Sequence, residues 1–183
     1  NKSINDCLAE EIQKLKIGRH FIRRFMNMRI PSVDSFIIWL SKNPIAVNIE
    51  LKESLLKHKK DLITWLMDLE LPKGSHFFFF FPELIQTVKQ IRPEFEVAVI
   101  VTKQFKWDQL QSMDKIDAIH ASKKYYKPQY LNAAHDANKP MRFYGINGNE
   151  SLLRQPHPIV AGWITDYPKK VANFISSSVN PTD

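Results

Sequence analysis

Short apolar runs alternate six times with longer amphipathic runs along this chain, and no other feature limits its fold so strongly. The short runs have strand length, whereas the longer runs carry apolar residues at helical spacing. The predicted strands are residues 46–51, 77–81, 97–101, 116–119, 141–146 and 161–164. A strand that is regularly followed by a helix predicts a parallel sheet with helices outside it.

The predicted helices fill the segments between and after these strands, and two more precede the first strand. Asn5 or Asp6 is expected to cap the first helix and Ser32 the second, because these residue types accept hydrogen bonds from free N–H groups. The helices are predicted at residues 8–15, 32–40, 55–67, 83–91, 107–113, 128–137, 149–154 and 169–176.

Two α/β folds have this order of elements, an open doubly wound sheet and a (β/α)8 TIM-type barrel. The chain has only five glycines and contains neither GxGxxG nor GxxxxGK[ST], which disfavours the dinucleotide-binding form of the open sheet. Its single cysteine, Cys7, excludes a disulfide framework and a multi-cysteine metal site. No apolar run approaches the ~20 residues of a spanning helix, so no transmembrane segment is predicted.

The net charge of +7 gathers mildly at residues 19–24, 57–60 and 123–127. Each cluster could attract phosphate or an anionic membrane surface, although a solvated helix face or loop is the commoner role. Tyrosines that could stack on bases lie near the third cluster, but no recognition motif accompanies them. Nucleic acid is therefore not an expected partner.

The first predicted strand has polar residues on one of its faces. Asn48, Glu50 and Lys52 alternate there with an apolar set on the other face. A half-exposed antiparallel strand would share this pattern. In a β/α barrel the outer face is covered by helices, so the polar set would point inside, with Glu50 and Lys52 at the carboxyl-end mouth where such barrels keep their active sites. A Glu suits a hard divalent cation and a Lys an anionic oxygen, whereas an ordinary ion pair is the structural alternative.

Polar residues follow two later strands at the same mouth. Tyr144 and Asn147 belong to one of them, and Thr165-Asp166 to the other, where turn and cap chemistry is the favoured interpretation. The six histidines show no metal-ligand spacing, but His120 ends a strand and could reach the mouth.

Several motifs together resemble the glycerophosphodiester phosphodiesterases. That family reads I-P-T-L before a helix and then N-I-E-[IL]-K, followed by S-F-D-P-E-L, [WY]-T-V-N and G-I-I-T-D-x-P. The matching segments here are IPSV (30–33), NIELK (48–52), FFPEL (80–84), YGIN (144–147) and GWITDYP (162–168), and EIQKL (11–15) resembles an earlier E-L-x-x-L. Their order along nearly the whole chain makes the resemblance fairly specific.

The resemblance implies a (β/α) barrel that hydrolyses glycerophosphodiesters, small phospholipid-derived substrates, with a divalent cation such as Ca²⁺ or Mg²⁺. Glu50 matches a metal ligand, Lys52 the catalytic lysine that faces the phosphate, and Tyr144 an aromatic residue of the substrate pocket. We expect His120 and Asn147 to contribute to substrate binding as well. The family's H-R-G, E-x-D and early H-D motifs have no counterpart before Glu50, and Phe79 and Gly145 replace its usual Ser and Thr.

The six strands here would therefore be the third to the eighth of a barrel. A barrel typically needs ~250 residues, against 183 here, and the chain begins with Asn1 rather than Met. We expect residues 1–176 to form a partial barrel, with a flexible tail at 177–183, as the C-terminal part of a longer metal-dependent hydrolase. The alternative is a catalytically silent barrel fragment that binds an anionic ligand or forms an oligomer through its exposed edges.

Overall fold

The computed structural model describes residues 4–18, 28–80 and 82–179. The chain divides into two compact units. The first comprises Asn1–Val47 and Asp68–Gly74, and the second comprises Asn48–Met67 and Ser75–Asp183. The basic cluster predicted at residues 19–24 lies outside the described residues.

Six parallel strands form one sheet in the second unit. They pair in sequence order, so each strand lies beside the one that precedes it along the chain. The strands are β1 (Asn48–Glu50), β2 (His76–Phe79), β3 (Glu96–Ile100), β4 (Ala118–Ser122), β5 (Met141–Tyr144) and β6 (Val160–Ile164). All six predicted strands are confirmed. Within the described part of the chain, β1 and β6 each pair on one side only, so the sheet has two open edges.

Helices follow or precede the strands as expected, but several are shorter or tighter than predicted. The α-helices are α1 (Ala9–Lys14), α2 (Val33–Lys42), α3 (Lys59–Met67), α4 (Pro82–Ile91), α5 (Pro128–Asp136) and α6 (Pro168–Val179). The segments Glu53–His58, Trp107–Ser112 and Ser151–Leu153 are 3₁₀ turns. Such short segments close i→i+3 bonds because an isolated α-helix of this length is not stable.

Of the two helix caps predicted in the first unit, one is confirmed and one is wrong. Ser32 caps α2 as predicted, since its hydroxyl oxygen accepts a hydrogen bond from the Ser35 N–H at 3.2 Å. The cap predicted at Asn5 or Asp6 is wrong, because these residues form a 3₁₀ turn of their own and α1 starts after Leu8. The Leu8 N–H instead donates to the Glu11 carboxylate at 2.8 Å, which satisfies one free group of the first turn.

The outer face of the sheet is apolar and covered by helices. Phe77 and Phe79 of β2 are fully buried, and the Trp65 ring of α3 meets the Phe77 ring edge-on with centroids 6.2 Å apart. Leu84 and Val88 of α4 are also fully buried, and α4 packs on β2 and β3. Burial of each large apolar side chain contributes about 1.5–3 kcal/mol, which fixes the register of the strands.

The inner face of the sheet is polar and curved. His120 of β4 contacts the rings of His76 and Phe78 of β2, with centroids 5.3 and 5.0 Å apart, although β3 lies between them. In the same way, Arg142 of β5 reaches Glu96 of β3 across β4, with Nη1 and Oε1 2.6 Å apart. Side chains of alternate strands meet in this manner inside a β/α barrel. The sheet of the second unit is therefore an arc of six barrel strands.

Two alanines leave the space that these contacts between alternate strands require. Ala98 of β3 and Ala118 of β4 are fully buried and lie opposite each other in the register. Each has only a methyl group, so the larger side chains of the flanking strands meet above it.

Candidate functional site

Glu50 and Lys52 lie at the carboxyl end of β1, where the sequence places them. Lys52 Nζ donates a hydrogen bond to Glu50 Oε1 at 2.5 Å. The Glu50 side chain is 25% exposed and that of Lys52 is 66% exposed. The carboxylate thus has an ammonium partner but remains accessible to solvent. The ion pair that was the structural alternative to a catalytic role is thus present. The predicted roles of Glu50 in metal binding and of Lys52 in phosphate binding stay predictions.

Tyr144 and Asn147 lie at the carboxyl end of β5, at the same end of the sheet. Tyr144 is half-buried, and burial, with Tyr125 nearby, raises the pKa of its phenol. Asn147 is exposed. Three strands separate β5 from β1, and among the described residues no hydrogen bond joins these residues to Glu50 or Lys52. Their predicted contact with a substrate stays a prediction.

Glu150 organises the loop after β5, and it is a functional residue that the sequence pattern did not single out. Its carboxylate accepts backbone N–H groups of Asn147 at 2.9 Å, Gly148 at 2.9 Å and Asn149 at 3.1 Å. Lys123 Nζ, from the loop after β4, donates to it at 2.6 Å. Successive N–H groups that converge on an anion form a nest. One carboxylate therefore holds the loop that carries Asn147.

The pKa of Glu150 records this environment. Burial alone would raise it, since the side chain is only 13% exposed. The hydrogen bonds from Lys123 and the loop N–H groups outweigh burial and lower the pKa to about 2. Glu150 is accordingly ionised at neutral pH. Its sequence signal is the Asn-Gly-Asn-Glu segment of residues 147–150, in which a Glu follows a glycine-containing loop.

Two glycines of this loop give a matched test of its geometry. Both have positive φ, +80° at Gly145 and +81° at Gly148. A Cβ at Gly145 meets nothing within 4 Å, whereas one at Gly148 would lie 3.0 Å from Lys170 Cγ and 3.1 Å from the Val171 backbone N. We expect Gly145→Ala to cost about 1 kcal/mol of unfolding free energy, from backbone strain alone.

Gly148→Ala adds a clash with the backbone of α6, so we expect a loss of about 2–4 kcal/mol. Urea unfolding of the two variants measures the difference. Equal losses in both variants would show that α6 does not pack against this loop as described.

The Thr165-Asp166 segment has the turn chemistry that the sequence favoured. The Thr165 hydroxyl donates to the Ile146 carbonyl at 2.6 Å and accepts the Tyr167 N–H at 3.0 Å. These bonds tie the end of β6 to the loop after β5, ahead of α6. The two loops on this side of the mouth are therefore mutually braced.

His120 lies deeper than the sequence suggested. It is 1% exposed on the inner face, packed against His76 and Phe78, so it lies beneath the exposed end of the sheet. Neither of its ring nitrogens has a hydrogen-bond partner among the described residues. Burial, with a smaller electrostatic influence of His76 and Arg142, lowers its pKa to about 3, so the imidazole is neutral at physiological pH. Its predicted role in substrate binding is untested.

The described residues do not form a complete cation site. Among them, no three His, Cys, Asp or Glu side chains are grouped closely enough to hold a metal ion. Glu50 supplies one carboxylate, whereas Ca²⁺ takes six to eight oxygen ligands and Mg²⁺ about six. Ligands beyond the described residues would be needed.

Other surface features bear less on the site. A cavity of about 310 Å³ is lined by α4 and by the segment that leads into β4. It therefore lies at the amino end of β4, away from the mouth.

Among the helices that the structure describes, none combines the length and apolar character needed to cross a bilayer.

Known proteins resemble the chain in structure. It superimposes on a phosphodiesterase of Oleispira antarctica, solved with the product sn-glycerol-3-phosphate, with a TM-score of 0.76 and 21% identity. The match covers 95% of this chain and 72% of that one. A glycerophosphodiester phosphodiesterase of Parabacteroides distasonis matches with a TM-score of 0.76 and 14% identity, covering 97% of this chain and 74% of the other.

A third such enzyme, of Agrobacterium tumefaciens, matches with a TM-score of 0.69 and 21% identity over 91% of this chain and 71% of the other. No family model and no curated protein matches the sequence. The structural likeness supports the resemblance that the motifs indicate. The chain has the fold of the glycerophosphodiester phosphodiesterases, in the form of a six-stranded part of their (β/α) barrel.

Proposed function

We propose that this chain is the C-terminal part of a metal-dependent phosphodiesterase that hydrolyses glycerophosphodiesters to sn-glycerol 3-phosphate and an alcohol. The observation that carries the proposal is the position of NIELK. Its Glu50 and Lys52 lie at the carboxyl end of the first strand, in a six-stranded parallel sheet within a chain that superimposes on phosphodiesterases. Barrels of this kind keep their active sites at that end.

Each proposed residue has a role that suits its chemistry. Glu50 contributes one carboxylate to a divalent cation, Ca²⁺ or Mg²⁺, and its remaining ligands come from two further β/α units of the complete protein. Lys52, whose side chain is mostly exposed, binds an anionic oxygen of the phosphodiester. Tyr144 and Asn147 line the opposite side of the substrate pocket.

The proposal also accounts for the coverage of the structural matches. The chain spans 72% of the Oleispira phosphodiesterase and 74% of the Parabacteroides enzyme. Six of eight strands is a similar share of a barrel. The two open edges, at β1 and β6, are where the two further units would pair.

Hydrolysis of glycerophosphocholine by the complete natural protein tests this proposal. Released sn-glycerol 3-phosphate is measured with a coupled dehydrogenase, with Mg²⁺ or Ca²⁺ present, after chelation with EDTA, and after the cation is restored. We expect turnover that chelation abolishes and the cation restores. The 183-residue chain alone is expected to be inactive.

The absence of cation-dependent hydrolysis from the complete protein, with every head group tried, would contradict the proposal. The alternative, a silent module that binds an anion, predicts that sn-glycerol 3-phosphate still raises the thermal midpoint of unfolding. In that case the rise disappears in Lys52→Gln.

A further inference from the structure

Two neighbouring loops at the mouth bring together four aromatic rings and four lysines. The loop after β3 contributes two of each, and the loop after β4 with the first turn of α5 contributes the others. We call this set the aromatic–lysine surface: Phe105, Trp107, Tyr125, Tyr130, Lys103, Lys106, Lys124 and Lys127. From this surface we infer that the chain docks on an anionic lipid bilayer through the mouth of the barrel.

The rings form one contiguous cluster. The Trp107 ring lies 4.7 Å from that of Tyr130 and 5.0 Å from that of Phe105, measured between centroids. Tyr125 and Tyr130 meet edge-on at 5.3 Å, and the Tyr125 hydroxyl donates to the Thr102 carbonyl at 3.2 Å. These contacts hold the two loops against each other.

All four rings are half-buried, so the cluster belongs neither to the hydrophobic core nor to the fully exposed surface. Each ring has part of its apolar surface packed and part open to solvent. Trp and Tyr side chains that are partly packed and partly exposed are suited to the membrane–water interface, because they have both an apolar ring and a polar group.

The lysines surround this cluster with positive charge. Lys103 and Lys106 flank Phe105 in sequence, and Lys124 and Lys127 flank Tyr125. All four are exposed, and none forms an ion pair with another residue that the structure describes. Lys123 of the same run is different, because Glu150 holds it. Within residues 103–108 and 123–130, Asp108 is the one acidic residue, so the surface keeps a positive excess that complements an anionic leaflet.

A bilayer fits this surface better than single-stranded nucleic acid does. Base stacking needs an open ring face. The Trp107 ring lies tilted against the rings of Tyr125 and Tyr130, and Tyr125 meets Tyr130 edge-on, so these rings pack on one another and do not stand apart as separate stacking platforms. Tyr126 does not join them, because it packs on Phe143 and Trp163 of the outer face instead.

The position of the surface gives the docking a consequence for the site. It follows the carboxyl ends of β3 and β4, the end of the sheet that carries Glu50 and Tyr144. Docking would turn the mouth towards the bilayer and towards phospholipid-derived molecules. The docking itself does not depend on hydrolysis.

Sedimentation with sucrose-loaded vesicles tests the inference. The protein is mixed with vesicles of phosphatidylserine and phosphatidylcholine, and with pure phosphatidylcholine vesicles as reference. We expect binding to the anionic vesicles that weakens as salt is raised. The triple variant Lys103→Gln, Lys106→Gln, Lys127→Gln is expected to bind roughly 100-fold more weakly.

A matched control removes the same charge elsewhere. Lys57, Lys59 and Lys60 form an exposed cluster in and before α3, and their replacement by Gln should change binding by less than about threefold. Brominated lipid should quench the tryptophan fluorescence, and Trp107→Phe should remove that quenching.

Three results would overturn the inference. One is the absence of preference for anionic vesicles. Another is an equal loss of binding in the two triple variants, which would show attraction by overall charge. The third is tighter binding to oligouridine than to vesicles, with loss of that binding in Trp107→Phe, which would make the surface a nucleic-acid site. The hydrolysis assay is independent of all three, because its soluble substrate needs no vesicle.

Discussion

Glu50→Gln in the complete protein is expected to lower the rate of glycerophosphodiester hydrolysis by roughly 10³-fold. The substitution keeps the shape of the side chain but removes a negative charge at the carboxyl end of β1, where we propose that it helps to hold a divalent cation. An amide oxygen is a weaker ligand for a hard cation. We therefore also expect a higher cation concentration for half-maximal activity, measured by titrating Mg²⁺ or Ca²⁺.

The structural role of Glu50 makes a different prediction. If the carboxylate served only Lys52, its loss would remove a surface ion pair worth about 0–1 kcal/mol and would leave turnover nearly unchanged. Glu53→Gln is the matched control, since it removes an equal charge three residues later from an exposed position in the following 3₁₀ turn. Turnover within about tenfold of wild type in Glu50→Gln would refute the proposed ligand role.

The alternation of strand-length and helical runs was sufficient to predict the parallel sheet, and the structure shows two distinct faces on it. Phe77 and Phe79 must be covered by helices, whereas Glu50, His76 and Arg142 must lie together on the other face. A sheet that curves towards its polar face lets His120 reach His76, and Arg142 reach Glu96, across an intervening strand. The polar alternation in NIELK, which a half-exposed antiparallel strand would share, is explained by this inner face.

The residues that the sequence did not identify act through contacts distant along the chain. Glu150 was hidden in a segment predicted as helix, because its hydrogen bonds run to loop N–H groups and to Lys123, 27 residues earlier. His120 ends a strand-like run, and its burial beneath the mouth depends on Phe78 and His76 of another strand. Spacing along one element cannot report such contacts, since they are made by the curvature of the sheet.

Glu50 and Glu150 at the mouth have different surroundings, which suit them to different roles. Glu150 is held by three N–H groups and an ammonium, so its charge is already fully compensated. Glu50 has one ammonium partner, and a quarter of its side chain is exposed. Glu150 is thus suited to fixing the backbone of the mouth, and Glu50 keeps lone pairs available for a ligand.

Glu150→Gln is expected to lower the free energy of unfolding by about 2–3 kcal/mol at about pH 7. The pKa of Glu150 is about 2, below its ordinary value of 4.5. A carboxyl group whose pKa is depressed by folding stabilises the protein above its unfolded pKa, and this stabilisation is lost as the pH falls through the folded pKa. The amide has no charge to lose, so the variant lacks this contribution at every pH.

The difference between wild type and Glu150→Gln should therefore be largest above about pH 5 and should shrink as the pH falls from about 4.5 towards 2. Urea unfolding at a series of pH values measures it, and subtraction of the two curves removes the effect of all other carboxyl groups. Glu94→Gln is the control, because Glu94 is exposed and its ion pair with Arg92 should contribute much less. A difference that stays constant from about pH 7 to about pH 2 would show that the loop N–H groups do not stabilise the charged form of Glu150, and the proposed bracing of the mouth would be refuted.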